Sequence, residues 1–234
     1  MLIPSQTWGA DVAVESSLVK ANLDDIKKNI AHSKVEIVAV TKYFGLKAIE
    51  AGYEAGIRHF AESRAQDAVK KIEALSSEIK QNSTFHFIGH LQTNKVDMVV
   101  KNFDVIQSVD SLKVAKAISK AACSLNKRER VLLQVNNAEE EQKFGYSKEQ
   151  LRKEISEILK LPNIEVCGLM NMAPFGASED ELSKLFKDVR ELKGELEKEY
   201  QIKLPVLSMG MSDDYIVAVR EGATMIRIGR KLFT

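Results

Sequence analysis

"PVLSMGMSDDYIVAVREGATMIRIGR", residues 205–230, reads as one strand–helix–strand unit. The apolar run 205–207 closes in the small residues Ser208 and Gly210, and the segment after Ser212 carries its apolar residues at helical spacing. Gly222 then falls where a helix should stop, and the β-branched run 224–228 follows before Gly229. Two strands joined by a helix are expected to lie parallel, each ending in a loop of small residues at the same edge of a sheet.

Working outward, the same alternation covers the chain. Short apolar runs recur at 35–40, 58–61, 85–88, 105–108, 131–135 and 164–169, with helically spaced segments between them, among them 65–79, 111–125, 148–159 and 179–200. The runs are continuous rather than alternating, as in parallel strands covered by helices on one face and packed on the other. Eight such units without a polar divider fit an α/β fold: a single (β/α)8 TIM-type barrel over residues 1–234, with an open doubly wound sheet as the alternative. The amphipathic segment 14–30 precedes the first strand and is expected to pack as an extra N-terminal helix across the barrel.

Composition narrows the function classes. With 44% hydrophobic and 29% charged residues the chain has material for a full core, which excludes wholesale disorder. Its 34 basic and 33 acidic residues leave a net charge of +1, so nothing draws it to nucleic acid or to an anionic membrane. Cys123 and Cys167 lack metal or redox spacing, sit in apolar contexts and are expected to behave as small reduced hydrophobes. Residues 1–4 carry no basic leader and no stretch approaches the ~18 apolar residues of a membrane span, so a cytoplasmic protein is expected.

The chemistry gathers at strand ends. In "VEIVAVTKYFG", residues 35–45, Lys42 follows the first strand on the edge where barrel active sites lie, and Gly45 turns the chain into the next helix. A lysine there is a candidate Schiff-base nucleophile, against the plainer reading of a surface lysine. Ser212 is expected to cap the helix after the seventh strand, whose N-terminal amides attract an anion, and Gly229 lets backbone approach a phosphate after the eighth. Strands one and eight are neighbours in a closed barrel, so the amine and the phosphate cradle would share one mouth. If a phosphate binds there, the carboxylates of Asp213 and Asp214 must point away from it.

Pyridoxal phosphate (PLP) matches that set, with an aldehyde for the lysine, a phosphate for the cradle and a ring nitrogen for a further partner. Arg227 is suited to the last role, because a permanently protonated side chain donates to the ring nitrogen and keeps it unprotonated, which weakens the electron sink. His86 and His90 in "FHFIGH" have HxxxH spacing, but they fall on a strand and a Gly turn rather than a helix, so no metal is expected. Thr93 reads as the cap of the following helix.

The blocks "VAVTKYF", "FAESRAQDA", "FHFIGHLQTNK", "GLMNMAP" and "LSMGMSDDYIVAVREGATMIRIGRKLF" follow in order from about residue 35 to the C-terminus. In them the chain resembles the YggS family of pyridoxal-phosphate-binding proteins, also called PROSC or PLP homeostasis proteins. The resemblance implies a barrel like the N-terminal domain of alanine racemase (fold type III), with PLP held covalently on Lys42. It implies Arg227 at the ring nitrogen and Ser208, Ser212, Gly229 and Arg230 (the last through its backbone) at the phosphate, with Met209 and Gly210 shaping the same loop. The family usually reads Gly-Glu-Asn where this chain has Ala61-Glu62-Ser63, so Ser63 stands at a cofactor-side position with a shorter side chain and fewer donors.

The family role is intracellular PLP homeostasis, bearing on amino- and keto-acid balance, with PLP-dependent apoenzymes as candidate recipients and no catalytic residue assigned. A racemase takes its second base, a tyrosine, from an added β domain of the partner subunit, and this sequence stops one residue after Phe233. The expectation is therefore a monomeric binding protein. A weak PLP-dependent racemase or lyase using Lys42, or an aldolase acting on a sugar phosphate, are the alternatives. The loop of His90, Gln92, Asn94 and Lys95 is placed at the same mouth without an assigned role.

Overall fold

The computed structural model describes residues 14–31, 33–138 and 144–234. The expectation about an export leader falls on residues 1–4, outside the described residues. Eight strands close into one all-parallel barrel in chain order: β1 (Glu36–Val40), β2 (His59–Glu62), β3 (Thr84–Phe87), β4 (Val105–Val109), β5 (Glu129–Val135), β6 (Ile164–Asn171), β7 (Val206–Ser208) and β8 (Met225–Ile228). Pairing of β1 with β8, Val38 against Arg227 and Ala39 against Ile228, closes the ring and removes the open-sheet alternative.

Each strand divides its side chains between two cores. Residues such as Ile37, Ala39, Phe60, Phe85 and Ile106 face outward into the main core beneath the helices. Val38, Val40, Ala61 and Met225 form a separate cluster inside the bore, and Val105, Leu132 and Met170 form another. Layered filling of this kind makes the barrel solid rather than a pore.

The helices are α1 (Ser16–Asn29), α2 (Leu46–Glu54), α3 (Ala65–Ala74), α4 (Ser77–Gln81), α5 (Val96–Asn102), α6 (Leu112–Ser124), α7 (Lys148–Ile158), α8 (Glu179–Tyr200), α9 (Tyr215–Arg220) and α10 (Arg230–Phe233). Helices α7 and α8 start in capping boxes, Ser147 with Gln150 and Ser178 with Glu181, in which side chains and backbone N–H groups of the first turn satisfy one another. Gly56 and Gly222 stand at φ 97° and 96°, the left-handed conformation that lets the chain leave α2 and α9 for the next strand. The expected N-terminal helix is α1, which packs against α2 and α10, with Asn22 donating to the carbonyl of Leu232.

Three local expectations are corrected. The segment 65–79 is two helices, because the Ser76 side chain accepts the Ile79 N–H and starts a new one. Thr93 opens a short 3-10 turn, Thr93–Lys95, and does not cap α5. Cys123 is exposed rather than packed as a small hydrophobe. Among the described residues, no helix is long and apolar enough to cross a membrane.

Glu129, at the start of β5, is fully buried with Lys127 Nζ 2.7 Å from its Oε2. Burial outweighs that cation and pushes its carboxyl from the ordinary 4.5 up to about 7. The folded chain then holds the proton more tightly than the unfolded one. This group's contribution to stability is full below pH 4.5, declines as pH rises and is lost above about pH 7. Glu129→Gln is expected to remove that decline, about 3 kcal/mol across the window, from urea-unfolding free energies measured at a series of pH values. An unchanged slope in the variant would count against it.

Candidate functional site

Lys42 follows Val38 and Val40, which line the bore, and emerges at the C-terminal mouth half-buried. Its Nζ lies 4.9 Å from the Tyr43 ring centroid and has no hydrogen bond or ion pair among the described residues. The turn that carries it is held from two sides. Buried Thr41 donates its N–H to Ala61 O (3.0 Å) and its hydroxyl to Glu62 Oε1 (2.7 Å). Lys71 of α3 bridges the same carboxylate (2.9 Å) and the Thr41 carbonyl (3.0 Å). Burial raises the Glu62 pKa, while the Lys71 cation pulls it back. On the other side Phe44 packs on Phe233 of α10 with ring centroids 4.9 Å apart.

The loops after β7 and β8 meet that turn. Gly229 lies against β1 so closely that a Cβ on it would sit 3.3 Å from Val40 O. Gly210, at φ 96°, accepts the Arg227 N–H through its carbonyl (2.9 Å), and a Cβ there would stand 2.6 Å from that of Ala218. Only glycine satisfies both the conformation and the contact. Met209 beside it is fully buried.

Ser212 does not cap α9. Asp214 holds that place and accepts the Met211 N–H, while Ser212 Oγ accepts the Lys231 N–H at 3.5 Å, which joins the two loops. The Asp213 carboxylate is engaged by Arg230 at 2.9 Å.

Arg227 is 2% exposed and, among the described residues, has no carboxylate within ion-pair distance. Its Nη1 donates to Ser208 Oγ and its Nη2 to Asn171 O, both at 2.7 Å. Burial lowers its pKa to about 10 against the pull of Asp214, so it stays a cation at neutral pH. Ser208 is fully buried with its hydroxyl committed to Arg227 and Gln107, which ties it to the guanidinium rather than to the outer loop where a phosphate was expected.

A pocket of about 320 Å³ opens on the opposite side of the mouth, lined by Ile88, His90, Gln134, Phe144, Met172 and Met211 among others; Lys42 and Arg227 lie outside its lining. His90 stacks on Phe144 at 3.6 Å between centroids and pairs with Asp110 at 3.1 Å. Ser63 enters from β2, where the Ser63 carbonyl crosses Gly89 so tightly that a Cβ on Gly89 would lie 2.0 Å from it. Gln92 and Asn94 are exposed.

Glu62, Lys71, Gln107 and His59 belong to no motif that marks them in the sequence, and His86 stands out there only through its HxxxH spacing. The available signal was a polar residue inside an otherwise apolar strand, as in "FHF" and "VIQSV". As chemistry, an amine and a buried guanidinium, each without an ion-pair partner among the described residues, and two small-residue loops suit a small ligand with a carbonyl, an anionic group and a hydrogen-bond acceptor.

The model of the alanine racemase N-terminal domain matches residues 14–234. A pyridoxal phosphate homeostasis protein of Synechocystis sp. is 44% identical over 199 residues, covering 85% of this chain and 90% of that protein. A protein of the same description from Aquifex aeolicus is 39% identical, covering 85% and 86%. Among solved structures, PipY of Synechococcus elongatus with PLP bound has a TM-score of 0.84 at 35% identity, covering 92% of this chain and all of that one. An alanine racemase of Clostridium difficile has a TM-score of 0.76 at 18% identity, covering 94% of this chain and 57% of that one, and bears on the fold alone.

Proposed function

The chain belongs to the pyridoxal phosphate homeostasis family, built on the alanine racemase N-terminal domain, and from that premise we propose that its barrel is one PLP-binding domain serving homeostasis of the cofactor. We place it in the cytoplasm as a monomer, with PLP-dependent apoenzymes as recipients. The observation that carries the reading is the amine of Lys42, without a hydrogen bond or ion pair among the described residues, on a strand end packed against Gly229, one strand from buried Arg227. When bound, PLP supplies an aldehyde that condenses with an amine and a ring that accepts electrons.

Lys42 Nζ would hold the aldehyde carbon covalently with loss of water. Arg227, fixed by Ser208 and Asn171, would present an N–H to the ring nitrogen and keep it without a proton, an arrangement suited to retention rather than to carbanion chemistry. Ser212, Gly229 and the Arg230 backbone would hold the phosphate, with Met209 and Gly210 shaping their loop and Ser63 on the cofactor side. Ser208 acts in this scheme by anchoring Arg227 from below. The relatives are likewise described by homeostasis rather than by a reaction.

Borohydride reduction of the PLP-loaded protein followed by peptide mass mapping tests the site. The pyridoxyl adduct is expected on Lys42. An adduct on a different lysine overturns the site, and failure to retain PLP through gel filtration overturns the function.

A further inference from the structure

A line of polar side chains runs through the bore, hydrogen-bonded from Arg227 as far as His59. Arg227 donates to Ser208 Oγ (2.7 Å) and Ser208 to Gln107 Oε1 (2.7 Å). Gln107 Nε2 lies 2.9 Å from His86 Nδ1, and His86 Nε2 lies 3.0 Å from His59 Nδ1. His59 Nε2 reaches Glu36 Oε2 at 3.5 Å, where β1 and β2 begin. The line thus leads from beneath the mouth to the opposite face of the barrel, where His59 and Glu36 are partly exposed. A polar group in such a bore is costly unless its bonds are all made, so the line stands or falls as a unit.

Its direction follows from the chemistry of its ends. Arginine has no acceptor, so Ser208 Oγ receives from Arg227 and sends its own hydrogen to Gln107. The Gln107 amide atom facing His86 also lies 3.3 Å from Met225 Sδ, and a thioether only accepts, so that atom is the nitrogen. His86 Nδ1 then accepts, its hydrogen sits on Nε2 and points to His59 Nδ1, and the His59 hydrogen is left on Nε2, toward Glu36. Every donor points from Arg227 to Glu36.

This direction needs both imidazoles neutral, because a hydrogen on His59 Nδ1 would face the one on His86. Burial keeps them so. The His86 pKa falls to about 3, helped by His59 and Arg130, and that of His59 is lowered by burial and Arg130 against Glu36 and Asp104.

We propose that Gln107 is a positioning residue that, held by His86 and His59 from below, fixes through Ser208 the direction in which Arg227 presents its remaining N–H groups to the mouth. The proposal rests on the reading that the mouth takes PLP. It adds a determinant on β4, 101 residues from its serine partner, to the residues that would touch the cofactor.

Nitrogen-15 NMR of the full chain labelled at histidine and arginine, with and without PLP, tests it. His86 and His59 are expected as neutral Nε2–H tautomers at pH 7. Gln107→Leu is expected to average the two His86 tautomers and move the Arg227 guanidinium resonances. In the PLP-loaded protein it should shift the absorbance maximum and speed PLP release about tenfold, the effect of one hydrogen bond to a charged group, while the Lys42 adduct still forms.

An Nδ1–H tautomer at His86 in the unaltered chain overturns the proposal. So does a Gln107→Leu chain with parental Arg227 resonances, absorbance and release. If that variant does not fold, Ser208→Ala, which cuts the line one link higher, is read by the same resonances. A parental chain that retains no PLP overturns the functional reading alone, since the tautomers and the guanidinium resonances test the line without it.

Discussion

Lys42→Ala is expected to abolish covalent PLP: no pyridoxyl peptide after borohydride, no visible band from the linked cofactor, and affinity weaker by about 100-fold or more, about 2.7 kcal/mol. The turn is ordered independently of the amine by Thr41, Glu62, Lys71 and the Phe44–Phe233 contact, while Lys42 Nζ itself bonds to nothing among the described residues. Removing it should leave folding stability within about 0.5 kcal/mol, as for a surface change without partners. Lys42→Arg should fail in the same way although it keeps the charge, since a guanidinium is no nucleophile at neutral pH. A covalent adduct surviving in either variant, or a large drop in the urea midpoint, would falsify this assignment.

Gly89→Ala is the second large effect, and it acts through backbone. A Cβ at Gly89 would stand 2.0 Å from Ser63 O and 2.9 Å from Ser63 Cα, and neither is the movable end of a side chain. The loops after β2 and β3 would have to separate, at a cost of about 3 kcal/mol, the upper end of ordinary overpacking. Gly168→Ala makes a comparable clash, 1.8 Å from Val206 O, where β6 pairs with β7. Both variants should lower the urea midpoint. Where both are still folded, Gly89→Ala alone should also weaken PLP retention, because it displaces Ser63 and the His90 loop at the mouth. A parental midpoint for Gly89→Ala would show that the loops have room to yield.

Much of the barrel was legible because its signals are local. A continuous β-branched run such as "EIVAV", a glycine at a left-handed helix end such as Gly222, and the helical spacing of 179–200 each act within a few residues. The misreadings are also local but competitive. Ser76 outbid the helical spacing of 65–79 by offering a cap, and Asp214 rather than Ser212 precedes α9 because Ser212 is drawn to Lys231 of the neighbouring loop.

From the chain alone, then, came the eight-unit order and the candidates Lys42, Arg227 and Gly229 at the ends of its first and last strands, since periodicity and turn chemistry are written in consecutive residues. Tertiary structure decided that Ser208 lies under Arg227, that Glu62 and Lys71 brace the lysine turn, and that Gln107, His86 and His59 thread the bore. Those bonds join atoms on different strands, and a hydrogen bond across a barrel depends on closure and register, which no short window of sequence contains.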